Sequence, residues 1–150
     1  MTGEPARPEI RRLALPEFTA MLAMLFATVA FSIDAMLPAL PQIAAELSPD
    51  AVNRAQLVLA SFVLGMGIGS LFTGPISDAV GRKLTIYVGL ALYSAGAALA
   101  WAAPSLEMLM VARVIQGLGA AAPRIVGLAL VRDLYAGREM ARVTSFVMMI

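Results

Sequence analysis

Cysteine and histidine are both absent from the 150 residues. Without cysteine there is no disulfide and no thiolate metal site. Without histidine the commonest general base and the commonest metal ligand are missing as well. A group that exchanges protons near neutral pH must then be a carboxylate, or a shifted lysine or tyrosine. Charge is scarce: Asp, Glu, Lys and Arg make up 14% of the chain and leave a net charge of +1. That share is too small to cover the surface of a soluble domain of this length. The basic residues are not gathered on one soluble surface, so nothing points to a nucleic-acid partner. No nucleophile–base constellation and no metal-ligand cluster stands out, which argues against an enzyme. What is present is apolar: 60% hydrophobic residues and a mean hydropathy of +0.83, the composition of a helical membrane protein.

A helix needs about 20 mostly apolar residues to cross the hydrocarbon core. Four stretches qualify: about 18–40, 52–73, 84–103 and 106–131. A fifth run starts near Val143 and is still apolar at Ile150, so the 150 residues are expected to be the front part of a longer protein. Residues 1–17 are polar and carry prolines. The run after them is too long for the apolar core of a cleaved signal peptide and reads as a retained first span. Arg7, Arg11 and Arg12 precede span one, Arg82 and Lys83 follow span two, and Arg132, Arg138 and Arg142 follow span four. Only Arg54 lies on the other side. The positive-inside rule then puts the N-terminus and the 74–83 turn in the cytoplasm.

Three charges fall inside these spans. Asp34 sits in span one, Arg113 and Arg124 in span four. An aspartate at mid-span costs about 2.5–3.5 kcal/mol on insertion scales. Asp34 therefore reads as a protonatable group facing a polar cavity, or as a group near the outer end that reaches interfacial water. Arg113 and Arg124 are eleven residues apart, close to three helical turns, and so share a side with Gln116. Snorkelling toward the interface is the alternative for the arginines, more so for Arg124. Asp34 and Arg113 lie at similar depths from the outer ends of their spans, so the two are expected to pair or to share a water if both helices face one cavity. Between spans two and three, Gly74, Pro75, Asp78, Gly81, Arg82 and Lys83 form a tight charged turn suited to a latch between moving helices. Gly65, Gly67, Gly69 and Gly74 mark span two for close helix packing, or for a sliding face.

The stretch Gly74-Pro75-Ile76-Ser77-Asp78-Ala79-Val80-Gly81-Arg82-Lys83 resembles the signature of the turn between helices two and three in the major facilitator superfamily. The stretch Leu109–Ala121 resembles the helix-four signature of its proton-driven drug exporters. Asp34–Pro41, Val131–Tyr135 and Ser145–Met148 look like the bicyclomycin-resistance type of drug/proton antiporter. The match covers nearly all of the chain after Pro16. The resemblance implies an all-α membrane protein: helices one to four and the start of five of the N-terminal six-helix bundle, twelve helices in the whole. It implies a multipass protein of the bacterial inner membrane, its N-terminus cytoplasmic, that exports drug-like small molecules against proton entry. It needs no cofactor besides the proton. Its partners are the lipid bilayer, the small-molecule substrate and the remaining helices of the transporter. By resemblance Asp34 is the proton or substrate carboxylate, Arg113 its coupling partner, and Asp78 the gating aspartate, joined by Arg82 and by Asp133. Two positions depart from the pattern. Ala79 stands where the family often has a basic residue, and Arg124 where relatives commonly have a small or polar one. An importer or facilitator with the same fold, and a complete four-helix membrane scaffold, are the competing expectations. Residues 1–150 alone are expected to be unstable and not to transport.

Overall fold

The computed structural model describes residues 15–135 and 137–148. It contains α1 (Leu15–Asp34), α2 (Leu40–Leu47), a 3-10 turn (Val52–Ala55), α3 (Gln56–Val80), α4 (Arg82–Trp101), α5 (Leu106–Leu134) and α6 (Gly137–Met148). Among the described residues four helices are long and apolar enough to cross a membrane: α1, α3, α4 and α5. Residues 1–14, with the three arginines of the orientation argument, lie outside the description.

The helix boundaries differ from the expected spans where proline or glycine intervenes. Span one was expected to run to Leu40, but α1 ends at Asp34. Pro38 has no N–H to give the Asp34 carbonyl four residues back, and its ring would crowd that carbonyl. The Asp34 carbonyl instead accepts from Leu37 N–H at 3.3 Å. Span two was expected to end at Thr73, with a turn over 74–83. Instead α3 runs on through Pro75 to Val80 and α4 begins at Arg82. The reversal is confined to Gly81, whose φ of 97° is open to glycine and strained for other residues. Gly74, Pro75 and Asp78 are therefore helical. α5 extends to Leu134, and α6 begins at Gly137, before the expected Val143. Ser105 caps α5, its hydroxyl accepting from Met108 N–H at 3.3 Å. Glu107 in the first turn meets Arg54 at 3.1 Å.

α5 is the central post. It runs in the same direction as α3, with Gly65 against Val114 and Gly69 against Leu118 and Ala121. It runs opposite to α4, with Gly89 against Ala122 and Gly96 against Gln116. A side chain at Gly117 would run into the backbone of Phe62 and Met66. Without a hydrophobic drive between helices in lipid, such backbone approach supplies the dispersion contacts that hold a bundle together. Gly67 and Gly74, by contrast, face open space. Three apolar layers follow the axis: Met36, Val58, Leu106 and Leu109 at the outer end; Val29, Phe62 and Ala120 in the middle; Phe18, Leu22, Val131 and Val143 at the inner end. α1 and the turn that follows it reach all three layers, but α1 touches α5 and α6 only lightly. Leu71, Phe72, Met24 and Phe31 are exposed, as lipid-facing or partner-facing side chains are.

Candidate functional site

Two polar constellations break the apolar bundle. The first lies under α2 at the outer half. Arg113 on α5 donates from Nη1 to Gln116 Oε1 at 2.9 Å, and its Nη2 lies 2.7 Å from Met36 Sδ. Arg113 Nε is buried and has no acceptor among the described residues. Nearby, Ser32 of α1 and the Tyr93 hydroxyl of α4 share a hydrogen bond. Ser32 Oγ also reaches the Thr28 carbonyl at 2.8 Å, a back-bond that satisfies the hydroxyl in an apolar setting. Ser32, Met36, Tyr93, Arg113 and Gln116 line a cleft of about 460 Å³.

Asp34 does not join this cleft. It is exposed, and among the described residues no ion pair links it to Arg113. The expected direct pair is therefore corrected: Met36 takes the place facing the guanidinium. The reason is angular. Ser32 points toward α4, and Asp34, two residues further at the end of α1, falls about 200° round the helix, while Met36 reaches Arg113 from the turn that follows. In depth the two charges still agree, because Met36 meets Arg113 and Ser32 meets Tyr93, which brackets Asp34 between those levels.

On span four the small residue between the polar groups of the stripe is a packed one. Ala120 lies between Gln116 and Arg124 and is buried under Val29 and Phe62. Arg113 and Gln116 sit on the outer side of this plug. Arg124 sits on the inner side, exposed, its Nη1 4.0 Å from Met66 Sδ on α3.

The second constellation closes the inner end. Arg82, the first residue of α4, meets Asp78 at 2.7 Å and Asp133 at 3.1 Å, and donates to Ser77 Oγ at 2.8 Å. It thus ties the ends of α3 and α5 to the start of α4. Lys83 stands apart, over the Tyr87 ring at 5.9 Å. Beside this network Gly74, Asp78, Arg82, Arg132, Met140 and Thr144 border a second cleft of about 370 Å³. Pro75 is exposed on α3, one turn before Asp78, and makes none of these contacts.

Sequence reasoning missed Ser32, Met36 and Tyr93. Ser32 and Met36 carry an i, i+4 signal around Asp34, and Tyr93 is a polar tip inside an otherwise apolar run. Asp133 and Arg82, brought together only by the resemblance, do meet.

Residues 20–150 match the sequence profile of the Major Facilitator Superfamily. The chain is 37% identical over 139 residues to the uncharacterized MFS-type transporter YdgK of Bacillus subtilis, covering 93% of this chain and 34% of that protein. It is 31% identical over 129 residues to multidrug resistance protein D of Escherichia coli, 86% of this chain and 32% of that one. It is 33% identical over 135 residues to a bicyclomycin resistance protein homolog of Haemophilus influenzae, 89% and 33%. The chain thus spans about a third of the length of these curated relatives. No solved structure matches it.

Proposed function

The chain belongs to the major facilitator superfamily, and from that premise we propose that the whole protein is a proton-driven exporter of drug-like molecules in the bacterial inner membrane. Members of this superfamily are transporters rather than enzymes, and this one is a multipass membrane protein. The relatives named for multidrug and bicyclomycin resistance support export of drug-like compounds. The N-terminus is cytoplasmic in this reading, as the basic residues at the inner helix ends favour.

The observation that carries the proposal is a carboxylate and a guanidinium at matched depth on opposite sides of α1. Asp34 has no ion-pair partner among the described residues, and Arg113 lines the cleft between α1, α4 and α5. A lone carboxylate at that depth is best tolerated when neutral in a dry surround and when ionised in a wet one. Alternating access switches between those surroundings. Asp34 takes a proton from the outside and gives it up inside, and the membrane potential drives each inward charge by about 2.3 kcal/mol per 100 mV. Arg113 acts on Asp34 through the field across α1 rather than by contact. The Asp78–Arg82–Asp133 network holds the inner ends of α3, α4 and α5 together while the bundle rocks.

The test is Asp34→Asn in the complete protein, reconstituted in vesicles with an imposed pH gradient. Coupled efflux should be lost while substrate binding is kept. Normal coupled efflux from that variant would remove Asp34 from its role, and inward movement of label under the same gradient would make the protein an importer.

A further inference from the structure

Arg124 is the charge that the coupling scheme leaves unused. It lies ten residues before Leu134, about 15 Å from the inner end of α5, roughly a third of the way along this long helix. Its guanidinium points further inward to the bilayer, not out of it. Nη1 lies 4.0 Å from Met66 Sδ. The Met66 backbone is level with Gly117, which is seven residues, or about 10 Å, nearer the outer side than Arg124. The side chain is therefore turned toward α3 and Met66 rather than toward the inner end of α5. A thioether is a weak acceptor, so Met66 does not answer the charge. Among the described residues no carboxylate lies within ion-pair distance of Arg124; the inner-end carboxylates Asp78 and Asp133 are both engaged by Arg82. The side chain is exposed. On the far side of the Ala120 plug, Arg113 also lacks a carboxylate and keeps an unpartnered buried Nε.

A guanidinium aimed into the membrane interior with only a thioether to meet calls for an anion from elsewhere. We propose that Arg124 is a specificity-determining residue that recognises the anionic group of the cargo, so that the transported compounds include amphiphilic organic monoanions bearing a carboxylate or sulfonate. The inference rests on the exporter reading above. A two-oxygen anion suits the planar fork of arginine, which holds it through two parallel N–H bonds; a lysine supplies the charge without the fork.

The experiment uses the complete protein in proteoliposomes under an imposed pH gradient, with radiolabelled 2-naphthalenesulfonate as the anion and tetraphenylphosphonium as the cation. The wild type should move naphthalenesulfonate. Arg124→Gln should raise its half-saturating concentration about tenfold or more, the loss expected for one charge-assisted contact, with tetraphenylphosphonium unaffected. Arg124→Lys should fall between. Unchanged naphthalenesulfonate handling by Arg124→Gln would overturn the assignment, and would mean that a carboxylate elsewhere in the protein neutralises Arg124. Wild-type movement of tetraphenylphosphonium alone would overturn it too, and would leave the exporter reading standing. Movement of neither probe would overturn both. If Arg124→Gln loses both probes through misassembly, Arg124→Lys decides: a raised half-saturating concentration for the anion with the cation unchanged supports the proposal, and an unchanged anion response overturns it.

Discussion

A two-residue offset decides what Asp34 can touch. Ser32 and Met36 are bound to α4 and α5, so the carboxylate between them looks elsewhere. The depth of Asp34 and Arg113 was readable from the apolar runs, because depth needs only a residue count. Their direction was not, because which side of α1 meets α4 and α5 is set by packing that an apolar run does not report. The same scale governs the glycines. Composition marked four in span two as equivalent, yet only Gly65 and Gly69 bear on α5. Gly117 on the other helix bears on Phe62 and Met66. Gly117→Val should push α3 off α5 and lower stability by about 1–3 kcal/mol, the usual cost of overpacking. Thermal unfolding of the complete protein in detergent reads this out, with Gly67→Val, which meets open space, as the silent control.

At the scale of the element, α3 and α4 are one hairpin with a one-residue joint. The charged stretch was read from sequence as a loop because glycine and proline cluster there. Pro75 removes only a single helical hydrogen bond, and α3 absorbs the loss; the left-handed φ of Gly81 makes the break. Gly81→Ala meets no neighbour but inherits that φ, so it should destabilise the hairpin by roughly 1–2 kcal/mol, seen as a lower Tm. The Arg82 network has a different signature. Its carboxylates are substantially exposed, with side-chain accessibilities of 68% for Asp78 and 45% for Asp133. Solvent screening holds each pair to about 0.2–1 kcal/mol. Asp78→Ala should therefore leave insertion and Tm nearly unchanged and slow turnover, and a kinetic comparison with Asp133→Asn in the complete protein separates the two arms. Loss of membrane insertion in Asp78→Ala would show a structural part rather than a latch.

Across the whole molecule, the four membrane-length helices and their order were legible, because runs of apolar residues and the positions of basic ones report spans directly. The packing order was not. Nothing in the hydropathy says that α5 is the post, since that depends on small residues at Gly65, Gly69, Gly89, Gly96, Gly117 and Gly119 falling in register across three helices. Topology has a direct test that the composition favours. Residues 1–150 hold no cysteine, so single cysteines at Ala79 and Asp50, placed in a complete protein whose remaining segments are freed of cysteine, carry no background. A membrane-impermeant maleimide added to intact cells should label Asp50→Cys and spare Ala79→Cys until the membrane is opened. The reverse pattern would invert the orientation drawn from the basic residues.

The light hold on α1 has a consequence for biogenesis. The ribosome delivers α1 first, but its contacts at Phe18, Leu22, Val29 and Met36 are with residues of α3, α5 and α6 that do not yet exist. The leading helix must therefore wait in the translocon or alone in lipid until nearly a hundred further residues have been made, with Asp34 unsheltered throughout. Pulse-chase crosslinking of nascent chains arrested before and after α5 should find α1 beside the insertion machinery in the shorter chains and beside Val131 in the longer ones.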